Sequence, residues 1–176
     1  MAVSNMVYMQ IVGFDVGPDA DPLTPPLVPR IAETWEFNAD ATTLTFGLHN
    51  GMHWGDIDDP YQPGPEIVAE DIKCAFEELR DHSVHSGAFK TITSIDTPDQ
   101  YTVKLNFSEP SFWLLTNLAI KDHLMLNPYL FKANRQDQEA VGPGAFILEE
   151  AEPSIRIRLK SNPNYYFKDA QGAQLP

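Results

Sequence analysis

His49, His53, Asp56, Asp58 and Asp59 fall close together, and these are the side chains that hold metals. Read as a calcium loop starting at Asp56, the segment fails. Pro60 and Ile67 stand where oxygen ligands belong, and no glycine occupies the sixth position. Read as a zinc site, His49 and His53 share one strand face only while the strand continues, and Asn50-Gly51 between them is a turn signal. Glu149, Glu150 and Glu152 offer carboxylates, but a hairpin connection exposes them, and exposed carboxylates lack the shifted affinities of an acid/base pair. Cys74 is the only cysteine, so no intrachain disulfide or cysteine zinc site forms; its place on a helix suggests a buried, inert thiol. The sequence carries no nucleophile elbow, phosphate loop, metalloprotease helix or dinucleotide fingerprint. Trp54, Tyr61 and Tyr129 remain as exposed aromatics near loops, suited to lining a binding groove, with satellite packing as the alternative. The chemistry pattern therefore predicts no catalytic residue, no metal and no cofactor.

The elements that position these residues read as α+β, mostly antiparallel strands with a few helices. Leu44, Phe46 and Leu48 alternate with polar or small residues, as do Tyr101, Val103, Leu105 and Phe107, and Ile155, Ile157 and Leu159. Period two predicts one buried and one wet face. Ala145-Phe-Ile-Leu-Glu precedes the last of these, with Glu150-Ala-Glu-Pro-Ser as the connection. Ala69, Ile72, Ala75, Phe76 and Leu79 recur at helical spacing and predict a helix over about Ala69–Arg80. A second helix is expected after Pro110, with Phe112, Leu115 and Ala119 on one face and Trp113 beside them. Gly17–Pro26 and Asp56–Pro65 read as proline-punctuated loops.

The 176 residues suffice for one domain with a real core, and 43% hydrophobic content excludes disorder of the whole. A net charge of −13 argues against nucleic acid and against anionic membrane surfaces; it reads as a solvated surface, with cationic ligands as the sharper alternative. The N-terminus shows no signal segment, and no apolar run reaches transmembrane length.

Five motifs in order carry a resemblance. They are Pro29-Arg-Ile-Ala-Glu-Thr-Trp-Glu, Leu44-Thr-Phe-Gly-Leu-His-Asn-Gly-Met-His-Trp, Val68-Ala-Glu-Asp-Ile, Val141-Gly-Pro-Gly-Ala-Phe-Ile-Leu and Leu159-Lys-Ser-Asn-Pro-Asn-Tyr-Tyr. Together they resemble the family 5 extracellular solute-binding proteins, which serve peptide, nickel and related ABC importers. The resemblance implies a periplasmic-binding-protein-like fold (type II, cluster C), of which residues 1–176 are a single truncated portion of lobe I. It implies capture of a small solute, such as a peptide, and delivery to an ABC permease. It places the parent protein in the periplasm or outside the cell, associated with the membrane, with its signal segment absent from this chain. It aligns Val7–Val12 with the first strand and puts Met9 and Gln10 where the family carries Glu-Gly, so no carboxylate stands at Met9 to meet a peptide's amino terminus. Met9, Gln10 and Trp54 are the expected substrate-binding residues. Val68 replaces the threonine that caps the family's helix, and Gly142 and Gly144 are read as backbone permissiveness for a tight turn. The competing readings are a carboxylate-based hydrolase and an interaction domain that pairs through a strand edge. Self-association of the chain and weak solute binding by it alone are expected.

Overall fold

The computed structural model describes residues 4–82, 86–120, 123–136, 139–152, 155–169 and 171–175. In chain order the elements are α1 (Ser4–Val7), β1 (Val12–Phe14), β2 (Leu27–Pro29), β3 (Ala32–Phe37), β4 (Thr43–Leu48), β5 (His53–Gly55), β6 (Pro63–Glu66) and α2 (Ala69–Asp81). There follow a 3-10 turn (Ser86–Phe89), β7 (Ile92–Asp99), β8 (Thr102–Phe107), α3 (Phe112–Leu118), α4 (Pro128–Lys132), β9 (Phe146–Glu152) and β10 (Arg156–Ser161). Every strand pairing among the described residues is antiparallel, as the α+β reading expects.

The chain divides into two compact units. Gln10–Asn50 with Val68–Met125 form a sheet unit; Met1–Met9, Gly51–Ile67 and Leu126–Pro176 form a hairpin unit. The sheet unit holds a four-stranded sheet in the order β3-β4-β8-β7, beside the β1-β2 pair. On β4 and β8 burial alternates residue by residue, as the period-two pattern predicts. Register places Phe46 opposite Val103 and Leu44 opposite Leu105, all fully buried. α2 buries Ile72, Ala75, Phe76 and Leu79, and the Phe76 ring stacks on Phe46 with centroids 6.4 Å apart. Cys74 lies beside that stripe but is half-buried, correcting the fully buried thiol expected from its neighbours. At the head of α2, Val68 has no side-chain acceptor. Its amide instead donates to Asp71 Oδ2 at 3.3 Å, one half of a capping box that partly replaces the lost cap. The β3–β4 turn is held by Asn38, whose Oδ1 accepts from the amides of Thr42 and Thr43 at 2.9 and 3.0 Å.

α3 begins where Pro110 predicts, and of its expected face Ala119 is buried and Leu115 half-buried, but Phe112 is not. Leu114 and Leu118, four residues apart, are buried, while Phe112 and Trp113 are exposed. The aliphatic pair wins the core position; the Phe112 ring lies tilted against Phe37, centroids 5.2 Å apart. The segment Val7–Val12 is not the expected strand: α1 ends at Val7, and β1 begins only at Val12, pairing with β2.

In the hairpin unit, β9 pairs with β10 and β5 with β6. Pro63–Glu66 is therefore strand rather than loop. A two-stranded ribbon leaves outward positions that need no amide donor, and proline is tolerated there. Glu150, Ala151 and Glu152 are likewise in β9 rather than in the connection, while Pro153 and Ser154 lie outside the described residues. β10 forms at the expected place, but its apolar face is open: Ile155 is 77% and Ile157 55% exposed.

α4 is short and heavily capped. Pro128 follows the cap residue Asn127, whose side chain accepts from the Tyr129 amide at 3.0 Å. Its far end is a Schellman turn through Asn134, at φ 56°, with Arg135 N–H donating to Leu130 O at 2.9 Å. Asn127 is fully buried and also donates to Gly55 O at 3.3 Å. Asn127→Ala removes the cap and strands a buried carbonyl, so a loss of about 2 kcal/mol is expected in denaturant titration. An unchanged midpoint would show that the cap is idle.

Candidate functional site

Of the three residues expected to meet solute, two are closed off. Trp54 in β5 is 1% exposed and Met9 is 4% exposed. Trp54 is thus a core residue of the hairpin unit rather than an exposed aromatic: β5 carries it inward between the half-buried His53 and the buried Gly55. Gln10 belongs to the sheet unit and stays partly open; its carbonyl accepts from Ile31 N–H at 3.4 Å, tying the approach to β1 onto the start of β3. Tyr61 and Tyr129 are half-buried rather than exposed, and each ring carries a lysine ammonium 4.7 Å from its centroid, Lys160 over Tyr61 and Lys132 over Tyr129.

The histidine and aspartate cluster does not converge. β4 ends at Leu48, and Gly51 takes the left-handed turn at φ 72°, separating His49 from His53. His53 Nδ1 lies 2.8 Å from Gly64 O across the β5–β6 ribbon. Asp56 Oδ1 accepts from the amides of Asp58 and Asp59 at 2.8 and 3.1 Å, and these bonds hold its carboxyl below the usual range. Among the described residues no group of three or more His, Cys, Asp or Glu side chains is placed to hold a metal ion.

Polar groups do converge along β9. One groove of about 610 Å³ is lined by Pro60, Tyr61, Ile147, Glu149, Glu150 and Arg158, among others. A neighbouring one of about 380 Å³ is lined by Ile57, Asp58, Pro60, Arg135, Glu139 and the same β9 face. At the second, Arg135 makes four hydrogen bonds. Nε and Nη2 grip the Glu139 carboxylate at 2.7 and 2.6 Å, Nη1 holds Asp58 at 2.7 Å, and Nη2 also donates to Ile57 O at 2.5 Å. Glu139 first, then Asp58, raise the guanidinium above its ordinary pKa, so it stays charged and committed to these partners. At the first groove the Tyr61 hydroxyl donates to Glu149, which pushes the phenol pKa up.

The glutamates of β9 face basic residues of β10. Arg156 lies 2.8 Å from Glu150 and 3.1 Å from Glu152, and Lys160 lies 3.9 Å from Glu149. This is a cross-strand charge ladder, with each carboxylate engaged by a cation, and not a pair poised for proton transfer. Sequence reasoning did not single out Arg135, although its spacing of four from Glu139 is a readable ion-pair signal.

Behind the grooves, Gly142 and Gly144 pack the Val141–Gly144 segment against α1. A Cβ on Gly144 would stand 2.4 Å from Met6 O and 2.5 Å from Val7 O, and one on Gly142 2.4 Å from Val7 O. Their role is close backbone approach. The tight-turn freedom expected of them is not used, because the positive-φ glycines are Gly51 and Gly172. Asn162, also buried, donates to Gly144 O at 2.8 Å and secures the same segment.

The model of the bacterial extracellular solute-binding proteins, family 5 Middle, matches residues 26–175. Dipeptide-binding protein of Escherichia coli K12 is 26% identical over 186 residues, covering 94% of this chain and 34% of that protein. Di/tripeptide-binding protein 1 of Pseudomonas aeruginosa UCBPP-PA14 is 27% identical, covering 96% and 34%. The chain thus spans about a third of the length of the curated relatives it matches. Among solved structures, the binding protein AgaA of A. tumefaciens R10 in complex with agropinic acid superposes with a TM-score of 0.78 at 26% identity, over 94% of this chain and 32% of that one. The binding protein DppA of Helicobacter pylori, in complex with the peptide STSA, shares the fold with a TM-score of 0.77 at 24% identity, over 93% and 35%.

Proposed function

This chain belongs to the bacterial extracellular solute-binding proteins of family 5, and from that membership we propose that it serves as part of the first lobe of a protein that captures a small solute and hands it to an ABC permease. A peptide is the solute we favour, because relatives that align over nearly the whole chain are named for binding dipeptides and tripeptides. The site of action in this reading is the periplasm or the cell exterior. The role is binding and delivery rather than catalysis; the paired state of the β9 carboxylates supports this against a carboxylate-based hydrolase.

Of Met9, Gln10 and Trp54, Gln10 is the one we assign to face solute, since the other two side chains are enclosed. A neutral amide there recognises a peptide by hydrogen bonds and offers its amino terminus no counter-charge.

In this reading a second lobe closes over the solute, and this chain alone presents at most one wall. Good pockets enclose roughly 70–90% of a ligand's surface. The chain alone is therefore expected to bind a dipeptide at least about a hundred-fold more weakly than a full-length relative, since preorganised contacts from one side are missing. The strand-edge reading survives only as a property of the chain by itself: Ile155 and Ile157 lie bare on a two-stranded ribbon, and weak self-association is expected through that edge. Titration calorimetry with a dipeptide panel, light scattering and analysis of the recovered ligand test these points together. Full-length affinity from a strictly monomeric chain would overturn the one-wall reading. Cleaved peptide would overturn the non-catalytic one.

A further inference from the structure

We propose that residues 56–62, the tip of the β5–β6 hairpin, are a movable strap latched beside β9 by Arg135 and Tyr61, and that releasing the latch joins the two grooves along β9 into one. The tip and the base of this hairpin are held by different physics. At the base, Met52, Trp54 and Ile67 are each 1% exposed, so apolar burial fixes it. In the tip no residue from Asp56 to Gln62 is buried.

The tip is internally tied. Asp56 N–H donates to Gln62 O at 3.2 Å, Gln62 N–H to Asp59 O at 2.9 Å, and Tyr61 N–H to Asp59 Oδ1 at 3.1 Å, in addition to the Asp56 bonds already described. It therefore moves as one piece. Its neck is narrow, because Gly64 approaches so closely that a Cβ there would stand 2.8 Å from Gly55 O.

The ties from this piece to the rest of its unit are polar. Arg135 holds Asp58 and Ile57 O, the Tyr61 hydroxyl holds Glu149, and Lys160 lies over the Tyr61 ring. Asn164 Nδ2 donates to Tyr61 O at 2.9 Å, at the end of the tip nearest β6. Such contacts at a wet surface are individually weak and are screened by salt. Segments with little buried apolar surface are the ones that open locally. The two grooves share Pro60, Leu148, Glu149 and Glu150, so Pro60 is the part of the strap that parts them.

The inference is independent of the solute-capture reading, because it concerns the hairpin unit alone. Nitroxide labels at Gln62→Cys and Ala151→Cys, both exposed positions, in a Cys74→Ser background report the strap's distance from β9. With the latch intact at low salt, one narrow distance is expected. In Arg135→Gln with Tyr61→Phe, a longer-distance population should rise about ten-fold, the change expected when one ion pair and two hydrogen bonds at a wet surface are lost. Raising salt from 0.05 to 1 M on the unmodified latch should shift the population the same way, and this arm holds even if the double variant folds poorly. A distance distribution that neither salt nor the variant changes would overturn the proposal, as would one that broadens only together with loss of the whole fold.

Discussion

Phe46→Ala is expected to destabilise the sheet unit by about 3–5 kcal/mol, the range for emptying a large aromatic position in a packed core. Phe46 is fully buried in the second of four strands, paired with Trp35 on one side and Val103 on the other. Its ring also stacks on Phe76, one of the contacts that join α2 to the sheet. Alanine removes that contact and leaves a void too well walled to collapse, since Leu44, Ile72 and Leu105 around it are themselves fully enclosed. Guanidinium titration followed by far-ultraviolet circular dichroism measures the loss. Thr45→Ala, at a half-buried position one residue away on the other face, serves as the control and should change little. A Phe46→Ala loss below about 1 kcal/mol would mean that the core relaxes around the gap, contrary to the packing seen.

Gly144→Ala should cost about 3 kcal/mol, at the upper end for overpacking, because what it meets is backbone and not a side chain that can rotate away. The obstructing atoms are Met6 O, Val7 O and Val7 C, all within 2.6 Å of the added carbon. Any shift that relieves them also stretches Gly144 N–H to Val7 O, now 2.8 Å, and Asn162 Nδ2 to Gly144 O, also 2.8 Å. Fluorescence in a Trp35→Phe, Trp113→Phe background, where Trp54 alone emits, follows the hairpin unit during melting. Gly87→Ala, in the sheet unit, where nothing lies within 4 Å of the added carbon, controls for the glycine-to-alanine change itself and should melt unchanged. Identical melting of the two variants would show that α1 yields freely to the methyl group.

Periodicity made α2, β4 and β8 legible because each buries one continuous face, so the sequence pattern and the burial pattern coincide. On β10 the same alternation found the strand and misjudged its face: period two states which side chains lie together, not whether anything covers them. α3 misled in a related way, since its two adjacent aromatics outweigh in hydrophobicity the leucine pair that takes the core. Gly142 and Gly144 announced themselves as glycines, but the backbone opposite them comes from well over a hundred residues earlier, out of reach of local reasoning. The candidate site was less legible still. Trp54 sits next to turn residues in sequence and is nearly fully buried in the fold. The Arg135 cluster joins Asp58 to Glu139 across a gap that no local pattern spans.

The two units are threaded through one another along the chain. The polypeptide passes from one to the other after Met9, Asn50, Ile67 and Met125. During synthesis at roughly 5–20 residues per second, the sheet unit has its whole sequence once Met125 is clear of the ribosome. The hairpin unit then still lacks α4, both long strands and the glycine pair against which α1 rests. The residues of α1 must therefore wait for partners made more than a hundred residues later, and that long-range closure carries the larger entropic cost of contact formation. The order of assembly is thereby written into the topology: the sheet is available early as a template, while the hairpin side closes only once β9 and β10 have been made.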